Sequence, residues 1–245
     1  MIPSKGLLSL LAGCCILAAQ AQTSHPEVNS KGSQEEWRET IHRVHLNASL
    51  LMHGDPGYAL GVSYTRFLSR YLGVTGGLSL LSWYSTDYNP RWEVTDRQGK
   101  VYHLDEDDDT FSNLSLYVGP SFRLPIRTFG RDQDYTLSWE CTPTVAITFP
   151  NQRFSYIHPV TVEGHPGYYE TKHARNRGGQ WHYWQLKNAL SLQCDNIVLS
   201  LGYSFSNQKP FSAFSRVLFD GKNVSRTVKS YQTTHEFCLS IGYGF

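Results

Sequence analysis

The feature that most constrains this chain is a strict alternation of bulky apolar residues with small or polar ones, which repeats from Val44 to the last residue. The final segment shows it clearly. Its apolar residues stand at every second position, and they are Phe237, Leu239, Ile241, Tyr243 and Phe245. Their neighbours are Glu236, Cys238, Ser240, Gly242 and Gly244. A period of two places successive side chains on opposite faces of a β-strand, so one face is apolar and the other is small.

The small face decides between a soluble sheet and a membrane barrel. The outer face of a soluble antiparallel sheet carries charged residues, whereas the second face here consists mostly of Ser, Thr, Gly and Ala. Small residues fit the crowded inside of a closed barrel, and bulky apolar residues fit an outside that faces lipid. We therefore predict an all-β fold, an eight-stranded antiparallel up-and-down transmembrane β-barrel with long extracellular loops. A soluble sandwich whose two apolar faces meet is the alternative.

The strand ranges follow from the alternation and from the turn residues between segments. The predicted strands are 43–52, 58–68, 71–84, 111–124, 134–149, 180–194, 196–206 and 230–245. Short links alternate with long polar loops at 85–110, 150–179 and 207–229, which is typical of outer-membrane barrels. An even number of strands places both termini on the periplasmic rim. A membrane-crossing hairpin at 154–171 would give ten strands, but Pro159, Glu163 and Pro166 disfavour it.

The first 21 residues have the organisation of a secretory signal peptide. Lys5 precedes an apolar run, and Ala19-Gln20-Ala21 forms a cleavage site of the A-x-A type. Residues 22–42 are polar and are predicted to form a periplasmic N-terminal tether, and residues 43–245 are predicted to form the outer-membrane β-barrel. The alternative is a lipoprotein signal, Leu11-Ala12-Gly13-Cys14, in which Cys14 is acylated. Both readings predict export to the cell outer membrane.

Aromatic residues concentrate near the ends of the predicted strands, as expected for girdles at the two membrane interfaces. The predicted girdle consists of Trp83, Tyr84, Phe149, Trp181 and Trp184 at the long-loop ends and Tyr135 at the short-turn ends. Within one strand, Pro143 removes a hydrogen-bond donor from the ladder and predicts a local irregularity such as a bulge.

Strand parity also assigns several polar side chains to the lumen. They are Arg123, Glu140, Lys187, Glu236 and Gln185, together with Gln193, His45 and Asn47. Charges of both signs in a narrow lumen are expected to pair, because an unpaired buried charge is unfavourable. Eight strands leave room for side chains and little else. A plugged, rigid core is therefore expected, and a selective pore is the alternative.

The three long loops differ in charge. Loop 85–110 carries a net charge of −5, whereas loops 150–179 and 207–229 carry +2 and +4. We expect the oppositely charged loops to attract each other and to pack over the barrel mouth. Alternating residues around Gln98-Gly99 and Asp220-Gly221 predict that the strands continue as hairpins beyond the membrane.

Two segments resemble those of a known family. The last strand, from Phe237 to the terminal aromatic Phe245, resembles the assembly signal of Gram-negative outer-membrane β-barrels. The segment from Phe67 to Leu78 is similar to the tight first hairpin of the small outer membrane protein β-barrel domain (porin-like) family. The resemblance covers residues 43–245. It implies insertion from the periplasm by the barrel-assembly machinery, and it brings no catalytic motif.

Composition and motifs narrow the possible functions. With 22 basic and 21 acidic residues the chain lacks the positive charge of a nucleic-acid-binding protein, so no nucleic acid partner is expected. The histidines show no tight ligand spacing, so neither a metal nor a cofactor is expected. Ser204, Ser206 and His235 lie toward the outer rim, but no nucleophile motif surrounds them.

The sequence thus predicts a non-enzymatic integral outer-membrane β-barrel that presents an extracellular loop platform, with a surface-binding or envelope-structural role. Its expected partners are outer-membrane lipid and, during insertion, the barrel-assembly machinery; the extracellular ligand is unknown. A narrow porin-like channel for small solutes is the second hypothesis, and an outer-membrane lipid-modifying hydrolase is the third.

Overall fold

Almost all of the described chain is β-strand. The computed structural model describes residues 41–53, 55–84, 93–105, 110–130, 134–150, 153–162, 165–225 and 232–245. The strands are β1 (His42–His53), β2 (Asp55–Phe67), β3 (Leu72–Tyr84), β4 (Val94–Thr95), β5 (Val101–Leu104), β6 (Thr110–Phe129), β7 (Tyr135–Pro150), β8 (Arg153–Val162), β9 (His165–Asn176), β10 (His182–Cys194), β11 (Ile197–Ser206), β12 (Arg216–Phe219), β13 (Lys222–Ser225) and β14 (Thr234–Gly244). A short 3₁₀ helix spans Pro210–Phe214. Within these ranges, no helix is long and apolar enough to cross a membrane.

Eight of these strands close into an antiparallel barrel in the order β1-β14-β11-β10-β7-β6-β3-β2, and β2 pairs with β1 to complete the ring. The predicted eight-stranded fold is therefore confirmed. We call the end that carries the short links β2–β3, β6–β7 and β10–β11 the turn end. The opposite end, from which the long segments leave the barrel, is the loop end.

Strand β6 departs most from the prediction, because it continues to Phe129 through a segment that was expected to be a link. A register shift between Pro125 and Arg127 inserts one extra residue, so Pro125 lies opposite Ser138 and Arg127 opposite Leu137. This bulge lets the strand pass a residue that cannot donate to the ladder. The bulge of this strand thus lies at Pro125, whereas at Pro143 the pairing is interrupted without a change of register.

The three long loops form a second sheet of six strands, with the order β13-β12-β9-β8-β5-β4. Hairpin β8–β9 stands at its centre and pairs with no barrel strand, so the ten-strand alternative is not observed. Strands from all three loops pair, as expected for loops that pack together. The backbone N–H of Arg97 also donates to the carboxylate of Asp220 at 2.9 Å. Because this bond joins the turns of the two outer hairpins, the sheet, which we call the loop sheet, curves round on itself.

The outer surface of the barrel is an apolar belt. Large apolar side chains alternate along every barrel strand with buried small ones, and Leu199, Leu201 and Ile241 expose 49%, 65% and 53% of their surface. Their neighbours Ser200 and Ser240 lie inside and expose 6% and 4%. An exposed apolar surface that encircles a protein is unfavourable in water and fits the hydrocarbon of a membrane.

A cluster of buried apolar side chains joins the barrel to the loop sheet, and we call it the mouth cluster. Its barrel members are Leu51, Ala59, Leu81 and Trp83, and its loop members are Val94, Tyr102, Phe154, Tyr156, Ala174, Phe211, Ala213, Phe214, Val217 and Phe219. The assignment of Trp83 to the girdle was wrong, because its side chain is fully buried. Trp83 shares the inward parity of Ser79 and Leu81, and a position at a strand end does not decide which face a residue occupies.

One glycine lies where two barrel strands come unusually close. A Cβ added at Gly119 in β6 would lie 1.9 Å from the carbonyl oxygen of Pro143 in β7. Pairing between these strands is interrupted from Gly119 to Ser121. The register is the same before and after this interruption. The prolines at 120 and 143 supply no N–H there, and the absence of a side chain at 119 permits the close backbone approach.

Substitution of Gly119 by alanine is expected to destabilise the barrel, because the new methyl group would overlap the carbonyl of Pro143. We expect the free energy of unfolding to fall by about 1–3 kcal/mol. The urea midpoint of the heat-modifiable gel shift measures this change. Gly76→Ala is the matched control, since its Cβ would lie 3.6 Å from the nearest atom. Equal midpoints for the two variants would contradict the prediction.

Candidate functional site in the lumen and the loop sheet

An ion pair spans the lumen near the turn end. The Nη1 atom of Arg43 in β1 donates to Oε1 of Glu140 in β7 at 2.7 Å, and its Nη2 atom donates to Gln193 in β10. Strands β1 and β7 are four positions apart in a ring of eight, so this pair crosses the full width of the barrel. The Arg43 side chain is only 2% exposed. Sequence analysis missed Arg43, although it has the same parity as His45 and Asn47 in the same strand.

Aromatic and cationic side chains fill the turn end around this pair. The guanidinium groups of Arg123 and Arg43 lie 4.0 Å and 5.0 Å from the centre of the Phe67 ring. Cations over an aromatic face are stabilised by the ring quadrupole. Arg123 also donates from Nε to the carbonyl of Arg70 at 3.0 Å. These contacts restrict the movement of the Arg43, Arg123 and Phe67 side chains at the turn end.

A second polar group lies on β10, β11 and β14. The amide of Gln185 donates to Ser204 at 3.0 Å and to Glu236 at 3.2 Å, and Ser204 donates to the same carboxylate oxygen. Lys187 donates across the lumen to the side-chain oxygen of Asn47 at 3.2 Å. The structure therefore brings Gln185 and Glu236 together, whereas Glu140, Lys187 and Arg123 have other partners. All five face the interior.

A small cavity lies among these polar groups. Its volume is about 90 Å³, and its lining includes His45, Tyr117, Glu140, Lys187 and Glu236. A polar cavity of this size holds a few water molecules.

Aromatic rings close the lumen at the loop end. The Trp83 ring in β3 packs on Phe211 of the 3₁₀ helix, with ring centroids 6.2 Å apart. Phe214 of the same helix packs on Phe154 of β8 at 4.0 Å. Further out, Phe219 contacts Tyr102 and Tyr156 edge to face. The mouth cluster thus runs without interruption from the barrel interior into the loop sheet.

Ion pairs reinforce the loop sheet. Asp96 is buried and accepts hydrogen bonds from Lys172 Nζ at 2.8 Å and from the backbone N–H groups of Gln98 and Lys100. The pKa of Asp96 is lowered from 3.8 to about 2, and the hydrogen bond from Lys172 is the main cause. Lys100 bonds to Glu170 at 2.9 Å, and this contact lowers the pKa of the glutamate and raises that of the lysine. These bonds join the first and second loops.

The candidate residues for hydrolysis lie on opposite sides of the barrel wall. Ser204 and Ser206 are buried inside, and Ser204 is bonded to Glu236. His235 has the outward parity of Phe237 on β14, and its ring nitrogens bond to Tyr203 and Thr233. Neither of these two serines can therefore pair with His235 across the wall. Among the described residues, no group of three or more His, Cys, Asp or Glu side chains is placed to hold a metal ion.

The other predicted residues occupy the outer surface. Trp181, Phe149 and Tyr135 expose 64%, 52% and 38% of their surface, and Trp184 packs edge-on against Phe205. The side chain of Tyr84 lies outside the described part of the structure. The residues of the proposed assembly signal all face outward from the last strand or its end, and they are Phe237, Leu239, Ile241, Tyr243 and Phe245. Their role in assembly stays a prediction.

No family model matches the chain, and no curated protein matches it. Among solved structures, the N-terminal β-barrel domain of Pseudomonas aeruginosa OprF is 8% identical over 83% of this chain and 96% of that chain, with a TM-score of 0.35. Neisserial surface protein A is 10% identical over 83% and 97%, with a TM-score of 0.37. Yersinia pestis Ail is 14% identical over 84% and 100%, with a TM-score of 0.28.

The closed barrel and its encircling apolar belt decide the class of the protein. It is a membrane-spanning β-barrel. A wall of paired strands without an edge satisfies its own backbone hydrogen bonds, which lipid cannot do, and the belt supplies the surface that lipid contacts.

Replacement of Arg43 by methionine is expected to destabilise the barrel by about 3–5 kcal/mol, because Glu140 would keep a buried charge without its partner. The double variant Arg43→Met, Glu140→Leu is expected to recover most of this loss. Urea unfolding in lipid vesicles, followed by tryptophan fluorescence, measures both. Lys100→Met is the control, since it breaks an exposed ion pair, which solvent screening makes weak. A smaller effect for Arg43→Met than for Lys100→Met would show that the lumen pair does not hold the barrel.

The loop sheet is expected to loosen in acid. A carboxylate whose pKa is lowered by folding adds stability above its ordinary pKa, and this is lost as the pH falls toward the lowered value. For Asp96 the window runs from about pH 4 down to about pH 2. Hydrogen exchange of the Gln98 and Lys100 amides, corrected for intrinsic rates, should accelerate over this range.

The variant Lys172→Met should shift this acceleration to higher pH, because Asp96 would lose the bond that lowers its pKa most. Lys222→Met is the control, since Lys222 is exposed in β13 and takes part in no ion pair within the described residues. A pH profile that is the same in Lys172→Met and in the unchanged protein would contradict the assignment.

Proposed function

We propose that the protein is a non-conducting, non-enzymatic outer-membrane barrel that carries the loop sheet outside the cell as a platform for surface binding or envelope structure. The burial of Trp83 beneath Phe211 is the observation that carries this proposal. A tryptophan buried at the barrel mouth against a loop helix ties the loops to the barrel, which supports a closed loop end.

The turn end supports the same conclusion. A channel needs a continuous polar path, but Arg43, Glu140 and Phe67 fill the lumen where the barrel would open to the periplasm. Eight-stranded barrels have an interior that side chains can fill. The two closures are independent, because one is made by charged groups and the other by aromatic rings.

The loop sheet has the properties of a binding platform. Its core side chains Tyr102, Tyr156 and Val217 are fully buried, so the sheet is rigid without a partner. Tyr168 and Tyr169 follow the tip of hairpin β8–β9 and expose 55% and 60% of their surface. Tyrosine offers a large contact area at little loss of conformational entropy, and it is enriched at protein interfaces.

The orientation of the barrel follows from the rule that long loops of such proteins lie outside the cell. The proposal thus places both termini in the periplasm, from which the barrel-assembly machinery would insert the chain. The last strand, which pairs with β1 to close the ring, is the proposed assembly signal.

The purified barrel is expected to show no steady openings in a planar lipid bilayer. Removal of the upper closure by Trp83→Ala with Phe211→Ala should leave it silent, because the turn end stays blocked. Addition of Arg43→Ala to this pair should produce openings. Trp181→Ala is the control for general effects of removing a tryptophan, because it changes only the outer surface.

Steady openings of the unchanged protein that Arg123→Ala or Glu140→Ala abolishes would favour the channel instead. Phospholipid or lipid A turnover that Ser206→Ala abolishes would favour the hydrolase.

A further inference from the structure

Four arginines form a positively charged face at the base of the loop sheet. We call Arg153 of β8, Arg175 of β9, Arg177 and Arg216 of β12 the arginine cluster, and all four side chains are exposed. Arg153 and Arg175 are directly opposite each other in the β8–β9 ladder. Arg177 donates its backbone N–H to the carbonyl of Arg216 at 2.9 Å, which continues the pairing of β9 with β12.

The four side chains share one side of the sheet. Their neighbours along the strands, Phe154, Ala174 and Val217, belong to the mouth cluster on the other side. Because side chains alternate along a strand, the arginines point away from the core. The cluster therefore lies on the outward face, just above the barrel wall.

The charge of this face is not balanced within the described residues. None of the four arginines takes part in an ion pair there. The nearby first loop joins β8 through its backbone, since the N–H of Asp105 donates to the carbonyl of Ser155 at 3.0 Å. Like charges directly opposite each other destabilise a sheet, so a bound anion would stabilise this face.

The cluster stands directly above the membrane interface. Strand β7 ends at Pro150 and β8 begins at Arg153, whereas Arg177 precedes β10 by a few residues. The exposed rings of Phe149 and Trp181 lie between the cluster and the belt. Aromatic side chains of this kind mark the level of the lipid headgroups.

Below the cluster, the wall contains an apolar groove of about 440 Å³. Its lining includes Leu78 of β3, Leu116 and Val118 of β6, and Val145 and Ile147 of β7. Ile147 and Arg153 are six residues apart, so the chain between them spans at most about 20 Å. That distance is comparable to the length of a lipid acyl chain with its headgroup.

We propose that the arginine cluster and this groove together bind a phosphorylated lipid of the outer leaflet. Its phosphoryl groups contact the guanidinium groups, and one acyl chain lies in the groove. Guanidinium groups form bidentate, charge-assisted bonds with phosphate oxygens, and arginine is preferred over lysine for this purpose. The site would anchor the loop sheet against the membrane surface.

Binding of lipid A to the purified full-length protein in detergent tests this site, with native mass spectrometry as the readout. Replacement of Arg175 and Arg177 by glutamine is expected to raise the dissociation constant at least tenfold, because both charge-assisted contacts to the phosphoryl groups are lost. Arg66→Gln with Arg127→Gln is the matched control, because both arginines are exposed at the turn end. This control pair should leave the constant unchanged.

Three further arms separate the parts of the site. Lipid A without its phosphates should bind as weakly to the unchanged protein as intact lipid A binds to the Arg175→Gln, Arg177→Gln variant. Val145→Trp, which fills the groove from the lipid side, should weaken lipid A binding several-fold. Inorganic phosphate should fail to compete at the lipid concentration. A heat-modifiable gel shift verifies that each variant is folded.

Two results would overturn the proposal. One is an equal dissociation constant for the cluster variant and the unchanged protein, or equal losses in the cluster and control variants. The other is competition by inorganic phosphate at the concentration of lipid A, which would make the cluster a site for free phosphate.

Discussion

The structure depends on one constraint, which is that backbone groups in hydrocarbon must find their hydrogen-bond partners within the protein. Strand β14 meets this constraint by pairing with β1 from Glu236 opposite Leu51 to Gly244 opposite Arg43, so the sheet has no edge. Once the ring is closed, every strand has an inside and an outside. The alternation of side chains then separates a lipid-facing belt from a narrow lumen.

The narrow lumen explains why its inner face is built mainly from small residues. A few large side chains must cross it, and glycines provide the space they need. A Cβ at Gly77 would lie 2.6 Å from the Tyr117 ring, and one at Gly242 would lie 2.5 Å from the His45 ring. Small residues on most strands thus permit the long contacts, such as the one from Arg43 to Glu140, that fill the barrel.

The loop sheet continues the antiparallel strand pairing beyond the barrel, but it packs around a different kind of core. Inside the barrel the side chains are polar and bonded to one another, whereas the mouth cluster is apolar and largely aromatic. The change occurs at Trp83, which belongs to a barrel strand but packs against a loop helix. An ion pair adds to these contacts, since Lys172 of the second loop pairs with Asp96 of the first loop. The oppositely charged loops therefore do meet, but apolar burial forms most of their contact.

The sequence by itself determined the number of barrel strands and the face of most residues, because a period of two is a local property that needs no knowledge of the fold. Parity alone placed Glu140 and Glu236 inside, and it would have placed Arg43 and Trp83 there as well. Only the tertiary structure decided that Arg43 reaches Glu140, that the bulge lies at Pro125 and that three loops share one sheet. Such contacts join residues far apart in the chain. They are fixed by the closure and register of the whole ring, and no local pattern records them.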